Sequence, residues 1–212
     1  MLVMPNGAHQ PPAPPVSSME STYAITDADA IAGKAIFTSG GPAHAFNTAP
    51  NATSLSSAND LGTMGGTSSE AWDMQDAQGT VGQSQIATGY WRGFFLPITC
   101  GTLGGTATYQ LPALSGVTRT DWSSAAYGVN ASGSVVGYTQ DQNLANRAFR
   151  YSNQTGTTID LNTITLDGGQ TPASLGWTLT QARAINTAGV IVGFGTISGR
   201  ATCWILYPKC ED

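Results

Sequence analysis

Apolar and polar positions follow one pattern four times along the chain. The copies align on four anchor glycines, Gly33, Gly82, Gly137 and Gly193. The segments that end at these glycines read YAITDADAIAG, WDMQDAQGTVG, YGVNASGSVVG and RAINTAGVIVG. In each segment an apolar residue and a polar residue precede a short run of Asn, Asp, Ala, Ser and Gly, which is typical of a tight turn between antiparallel strands. Each copy is therefore predicted to be a β-hairpin.

A third element is predicted after each hairpin, and a fourth in three of the copies. A basic or His residue, a small residue and a large apolar residue suit a third strand with its bulky side chain directed inward. These groups are His44-Ala45-Phe46, Arg92-Gly93-Phe94, Arg147-Ala148-Phe149 and, in the last copy, Arg200-Ala201 followed by Cys203-Trp204. Three copies continue into a Gly-rich segment that predicts a fourth strand: DLGTMGG at 60–66, CGTLGG at 100–105 and DLNTITLDGG at 160–169. The last copy lacks this segment, so its sheet is predicted to be one strand short.

The spacing of the copies indicates the architecture. Successive anchor glycines are 49, 55 and 56 residues apart, which suits a unit of four short strands such as a propeller blade. A single unit of this kind cannot bury its own apolar face and must pack on a neighbour. We therefore predict an all-β repeat domain over residues 21–212, made of four antiparallel β units in a propeller-like arrangement. The alternative is a stack of sheets that resembles a β-sandwich.

The residues before the repeats predict a separate N-terminal segment, residues 1–20. Met1, Leu2, Val3 and Met4 form a short apolar peptide, and the prolines that follow predict an extended Pro-rich linker. An unpaired sheet edge recruits strands, so Met1–Met4 is predicted to pair with the last sheet, in the same chain or in a neighbouring molecule. Donation between molecules is head-to-tail and builds filaments when the contacts do not close. The first five residues lack a basic start and are not expected to act as a secretory signal.

Composition excludes several classes of protein. Only 10% of the residues are charged, against roughly 25% in an average soluble protein, and the net charge is −5. A protein that binds nucleic acid needs clustered Lys and Arg to displace counterions from phosphates, and no such cluster is present in the sequence. No run of 18 apolar residues occurs, so no membrane span is expected.

The order of the motifs resembles a known repeat family. The pattern A-I-N-x-x-G-x-V-V-G, then R-A-F or H-A-F, then D-L-G-T-L-G-G is similar to that of the HAF-repeat family of extracellular proteins, whose triplet appears here as His44-Ala45-Phe46. The similarity covers four degenerate repeats over residues 21–207. It implies a bacterial protein that is secreted or held at the cell surface, with no attached enzymatic activity. Asp29 and Gln78 depart from the pattern, because they replace its turn glycine.

The polar residues do not form a recognisable catalytic set. The histidines are His9, in the N-terminal segment, and His44, in a position that the other copies fill with Arg. Acyl-transfer chemistry normally needs a His base beside a nucleophile, and no G-x-S-x-G elbow is present. Asp73 and Asp76 lie in a repeat hairpin, where Asp serves turns. The chain is therefore predicted to be non-enzymatic and to need no cofactor or metal.

Three tryptophans are candidate ligand or interface residues. Trp91, Trp122 and Trp177 fall in or beside irregular connections, where an exposed indole can stack on a sugar ring or on a neighbouring subunit. Trp72 and Trp204 fall on strand positions and are predicted to be core residues.

Two kinds of covalent modification are open to this sequence. Three sequons, at Asn51, Asn130 and Asn153, permit glycosylation in a competent host. The cysteines are Cys100, Cys203 and Cys210. Cys203 and Cys210 are close enough in sequence to form a disulfide in an oxidising compartment, and Cys100 is an alternative partner for either.

These observations together favour an extracellular or cell-surface structural subunit. We expect a homo-oligomer that assembles head-to-tail, with filaments formed by strand donation from residues 1–4. The alternative is a carbohydrate-binding or adhesive propeller module that uses the aromatic side chains. A glycoside hydrolase is least favoured, because no convergent pair of carboxylates is recognisable.

Overall fold

The computed structural model describes residues 17–208 and shows an all-β chain. Its strands form four antiparallel sheets, and three single-turn 3-10 helices lie in the connections between strands. This confirms the predicted fold class. Met1–Met4, His9 and Cys210 lie outside the described residues.

Each sheet is a meander whose strands follow one another in chain order. Sheet 1 contains β1 (Ser18–Ile25), β2 (Ile31–Ile36), β3 (His44–Asn47) and β4 (Asp60–Gly62). Sheet 2 contains β5 (Gly65–Gln75), β6 (Gly79–Ile86) and β7 (Trp91–Pro97). Sheet 3 contains β8 (Ser124–Val129), β9 (Ser134–Gln140), β10 (Asn146–Ser152) and β11 (Thr157–Asp160). Sheet 4 contains β12 (Trp177–Ile185), β13 (Ile191–Ile197) and β14 (Arg200–Leu206), and the 3-10 helices are Ser57–Asn59, Ala107–Tyr109 and Ala173–Leu175.

The predicted hairpins are the first two strands of each sheet, and their turns are held by side chains. Thr26 Oγ1, Asn130 Oδ1 and Asn186 Oδ1 each accept a hydrogen bond from the backbone N–H four residues later, at 3.2, 3.0 and 2.9 Å. Asp29 adopts the left-handed conformation (φ 62°) that Gly133 takes at the same turn position. An Asp tolerates this conformation better than most residues, so the departure from glycine is accommodated.

Each anchor glycine lies on the second strand of its sheet and faces the large apolar residue of the third strand. The cross-strand pairs are Gly33 with Phe46, Gly82 with Phe94, Gly137 with Phe149 and Gly193 with Trp204. At Gly33, Gly137 and Gly193 the aromatic ring lies over the glycine, and at all four glycines a Cβ atom would overlap a carbonyl oxygen of the first strand. The spacing between anchor and aromatic residue therefore reflects close packing of three strands.

The predicted fourth strands are only partly correct. In sheet 1 the closing strand is limited to β4. The segment CGTLGG at 100–105 is not a strand, because Gly104 and Gly105 both have positive φ; instead the Leu103 N–H donates to the Leu61 carbonyl at 2.7 Å. In sheet 3 the fourth strand is β11, which lies mainly before the segment at 160–169. In the part of the chain that the structure describes, sheet 4 has three strands, which confirms that it lacks a fourth. Sheet 2 also has three strands, although a fourth was predicted there.

The sheets pack on one another in chain order. The first strands of sheets 2, 3 and 4 contact the preceding sheet, and three apolar clusters fill the successive interfaces. A smaller cluster around Phe46 and Leu55 lies in sheet 1 and its long loop. This sequential packing is common to the propeller-like and sandwich-like predictions. Within residues 17–208, no helix has the length and apolar character to cross a bilayer.

Candidate functional site

A β-bulge occurs at the same place in the first strand of every sheet. The register with the second strand shifts around Tyr23, Trp72, Tyr127 and Arg183. Each of these residues lies ten positions before its anchor glycine. A bulge leaves one residue without a cross-strand partner and changes the direction of its side chain. The four bulge side chains are thereby directed toward one another across the sheets.

The bulge residues form a continuous stack, here called the bulge ladder: Tyr23, Trp72, Tyr127 and Arg183. The ring centroids of Tyr23 and Trp72 are 4.4 Å apart, and Trp72 meets Tyr127 edge-on at 5.8 Å. The Arg183 guanidinium carbon lies 4.3 Å from the Tyr127 ring centroid, which is a cation–π contact. The bulge ladder therefore links all four sheets. Sequence reasoning missed it, although these residues open the four aligned segments and three of them are aromatic.

The residues directly after the anchor glycines of sheets 1 and 2, Lys34 and Gln83, both bond to Glu70 of β5. Lys34 Nζ lies 3.0 Å from Glu70 Oε1, and Gln83 Nε2 donates to Glu70 Oε2 at 3.0 Å. The hydrogen bond to Glu70 raises the pKa of Lys34. In sheet 4 the same position holds Phe194, which is exposed. The residue after the anchor glycine is therefore charged in sheet 1 and apolar in sheet 4.

Two carboxylates clamp neighbouring sheets together. Asp73 follows Trp72, and its Oδ2 accepts a hydrogen bond from the Val129 N–H of sheet 3 at 2.9 Å. Asp76 Oδ2 accepts from the Ala28 N–H in the turn of sheet 1 at 3.2 Å. Sequence reasoning assigned both residues to their own turn, but each also bonds to an adjacent repeat.

The clamp at Asp73 predicts a pH dependence of stability. Burial raises the pKa of Asp73, and N–H donors from Val129 and Met74 offset this only in part. In the folded state the pKa of Asp73 lies above its ordinary value of 3.8, so the folded protein binds a proton at Asp73 at a higher pH than the unfolded chain does. The folded state is therefore stabilised relative to the unfolded state as the pH falls from neutral toward that ordinary value. We expect the unfolding free energy of the wild type, relative to Asp73→Asn, to increase as the pH is lowered from neutral. Urea unfolding across a pH series measures this difference, and a difference that decreases on acidification contradicts the assignment.

The outer face of sheet 4 is apolar and uncovered. Val192 precedes its anchor glycine, as Val81 and Val136 do in sheets 2 and 3; those two valines are buried, whereas Val192 is 39% exposed. Phe194, Cys203 and Ile205 are also exposed and share this face with Val192 through the β13–β14 pairing. We call these four residues the sheet-4 face. They line a groove of about 640 Å³ whose rim includes Trp177, Arg183 and Leu175.

A smaller bare surface lies at the opposite end of the molecule. Ile25 is 70% exposed, whereas the residues in the same repeat position of sheets 2 and 3, Met74 and Val129, are 3% and 1% exposed. Thr22 is exposed as well, and it shares the face with Ile25 in the β1–β2 register. We call Thr22 and Ile25 the sheet-1 face.

The three candidate tryptophans have different environments. Trp122 is 5% exposed and packs under the Arg92 guanidinium, whose carbon lies 4.0 Å from the ring centroid. Trp91 and Trp177 are half-buried, and only Trp177 borders the groove of the sheet-4 face. The structure does not bring the three indoles together into one site.

The sequon asparagines also differ. Asn51 and Asn153 are exposed, whereas Asn130 is buried and its Nδ2, the atom to which a glycan is attached, donates to the Asn186 carbonyl at 3.0 Å. Asn130 therefore acts as a link between the turns of sheets 3 and 4. Cys100 and Cys203 are not joined to each other, and the pairing of Cys203 with Cys210 falls outside the described residues.

The position shared by His44, Arg92 and Arg147, two residues before the large apolar residue, has a structural role in each of these three copies. His44 Nδ1 lies 3.0 Å from Asp60 Oδ1, and Arg147 Nε donates to Asp141 Oδ2 at 2.9 Å. Arg92 is buried and donates to backbone carbonyls, including Thr120 O at 2.6 Å. The prediction that Arg200 shares this position is wrong, because Arg200 pairs with Ile197 and is exposed, and Thr202 holds the position in sheet 4. Among residues 17–208, no group of three His, Cys, Asp or Glu side chains is placed to hold a metal ion.

Comparison with known proteins gives no match to a family model, to a curated protein or to a solved structure. The similarity to the HAF-repeat pattern therefore stays a prediction from the motifs.

Proposed function

We propose that this chain is a non-enzymatic structural subunit, located outside the cell or at its surface, that associates with itself through the sheet-4 face. The observation that carries the proposal is the exposure of Val192 in a repeat position that is buried in sheets 2 and 3. A repeat array normally ends in a polar outer face, which keeps it soluble. A contiguous apolar face at the end of an array instead marks an interaction surface.

The proposed location and class draw on the sequence. The low charge content and the similarity to the HAF-repeat pattern support an exported structural protein. Contacts between neighbouring sheets support a structural role, since the bulge ladder and the Asp73 hydrogen bond to Val129 both join successive repeats. A contact that continues this packing between molecules is head-to-tail, and it gives a filament when it does not close into a ring.

Sedimentation velocity over a concentration series tests self-association, with electron microscopy of the concentrated protein as a second readout. We expect Val192→Glu to weaken association about 30-fold or more, because a carboxylate must then enter an apolar contact. Ile98→Glu is the matched control, since Ile98 is also exposed but follows β7, away from the sheet-4 face. A Val192→Glu variant that associates like the wild type, or a wild type that stays monomeric at high concentration, rejects the proposal.

Strand donation would produce the same function through a different contact. Within the described residues, sheet 4 ends at β14 with an open edge, and Met1–Met4 is the segment predicted to pair there. A protein that lacks residues 1–16 separates the two routes. Association through the sheet-4 face survives this truncation, whereas strand donation is lost.

A further inference from the structure

We infer that the sheet-4 face is covered by the sheet-1 face of a second copy of this chain, so that the contact between molecules repeats the contact between successive sheets. This inference rests on the proposed function and adds the identity of the partner surface. It follows from the internal interfaces, the bulge ladder and the distribution of charge.

The internal interfaces supply the template. At the interface of sheets 2 and 3, Val81 packs in one cluster with Ala126 and Val129 of β8. At the interface of sheets 3 and 4, Val136 packs with Ala182 of β12. The residue before the anchor glycine of one sheet thus meets the first strand of the next sheet.

The two ends of the chain carry the unmatched halves of this template. Val192 is the residue before the last anchor glycine. Thr22 occupies the repeat position of Ala126 and Ala182, and Ile25 occupies that of Val129. Both halves are exposed within one chain, and a head-to-tail contact buries them together. Leu55 already covers Phe46 on this side of sheet 1, so Thr22 and Ile25 are the part left open.

The bulge ladder favours the same arrangement. It ends in Arg183 at sheet 4 and in Tyr23 at sheet 1, and both end residues are exposed. Inside the chain Arg183 stacks on Tyr127. In a head-to-tail contact, Arg183 meets the Tyr23 end of the next molecule, and the ladder continues with another pairing of a cation and an aromatic ring.

Charge disfavours the simplest alternative, in which two sheet-4 faces pack on each other. Between residues 177 and 206 the charged side chains are Arg183 and Arg200, with no Asp or Glu. Residues 18–47 carry Glu20, Asp27 and Asp29 against a single lysine, Lys34. Sheet 4 and sheet 1 are therefore complementary, whereas a symmetric contact brings like charges together and costs binding free energy.

A mixing experiment with two variants of the full chain tests the inference. Val192→Glu disables the sheet-4 face only, and Ile25→Glu disables the sheet-1 face only. Both positions are exposed, so the fold should be kept, and near-ultraviolet circular dichroism with thermal unfolding verifies this for each variant. We expect each variant alone to be monomeric at concentrations where the wild type associates. An equimolar mixture should form heterodimers that do not elongate, because it contains one intact interface per pair.

The outcomes separate the two proposals. If Ile25→Glu associates like the wild type while Val192→Glu is monomeric, the sheet-4 face binds something other than sheet 1, and the inference fails while the proposed function stands. A folded mixture that stays monomeric also overturns the inference. If Val192→Glu associates normally, the proposed function itself fails. Removal of residues 1–16 from both variants should leave the heterodimer intact; its loss would make the N-terminal segment the occupant and overturn the inference.

Discussion

Replacement of Gly137 by alanine should remove a large part of the protein's stability. Gly137 lies between β8 and the ring of Phe149, and a Cβ atom built there would overlap the Ala125 carbonyl oxygen and lie 2.9 Å from Phe149 Cε1. The obstructing atom on one side is backbone, so relief requires β8 and β9 to separate. Overpacking a core costs about 1–3 kcal/mol and occasionally more, and we expect a loss above about 3 kcal/mol because main-chain hydrogen bonds must also give way. A domain of this kind has about 5–15 kcal/mol in total.

The matched control is Gly101→Ala. A Cβ atom at Gly101 would meet nothing within 4 Å, and its φ is not positive, so the same substitution should change stability by less than about 0.5 kcal/mol. Chemical denaturation of both variants, followed by tryptophan fluorescence, measures the difference. Gly82→Ala should behave like Gly137→Ala, since its Cβ would overlap the Glu70 carbonyl oxygen. A Gly137→Ala variant within about 1 kcal/mol of the wild type would show that close packing is not the reason for the repeated glycine.

The hairpins, the number of sheets and the third strands could be predicted from the sequence, because the pattern around the anchor glycine recurs in each copy. A hairpin with its turn is a local feature, and the β-branched pairs Val135-Val136 and Ile191-Val192, directly before Gly137 and Gly193, indicate strands. The number of sheets follows from the number of copies. The third strand was predictable because a basic residue or His, a small residue and a large apolar residue follow the hairpins, and the structure adds that the large residue lies opposite the glycine.

The features that were wrong or missed depend on contacts between distant residues. The segment CGTLGG resembles a strand, but Gly104 and Gly105 adopt positive φ and turn the chain toward Leu61 of the preceding sheet. A bulge is a mismatch in register between two strands, so the sequence of one strand does not reveal it. The bulge ladder needs four such mismatches at equivalent places. In the sequence, Tyr127 therefore resembles any other strand residue, and only the pairing of β8 with β9 shows that it lies in a bulge.

Trp122 shows the same limit at a single residue. Its position beside an irregular connection indicates an exposed indole, yet Arg92, thirty positions earlier in the sequence, covers the ring. The Arg92 Nη1 donates to the Trp122 carbonyl, and Nη2 donates to the Thr120 carbonyl at 2.6 Å. Burial lowers the pKa of Arg92, but the carbonyls of Trp91, Trp122 and Thr120 accept hydrogen bonds from the guanidinium, and the indole face covers it. Arg92 thus fixes the connection that leads from sheet 2 to sheet 3.

Replacement of Arg92 by methionine should therefore destabilise the protein by about 3 kcal/mol. Methionine fills much of the same volume, but it leaves the buried Trp122 carbonyl without a donor, at about 1–3 kcal/mol. It also removes the partly buried hydrogen bond to the Thr120 carbonyl and a cation–π contact. The loss of a desolvated charge offsets part of this cost. Thermal and urea unfolding measure the change in stability. Red-shifted tryptophan fluorescence in the native state should accompany it as Trp122 becomes hydrated.

Arg200→Met is the control for the substitution, because Arg200 lies on the third strand of sheet 4, as Arg92 lies on the third strand of sheet 2, but is exposed. We expect a change within about 0.5 kcal/mol, as for a surface substitution away from specific contacts. The contrast between a buried and an exposed arginine, each on the third strand of its sheet, separates burial and hydrogen bonding from the chemistry of the substitution. Similar small losses for both variants would mean that the Trp122 connection holds its position without Arg92.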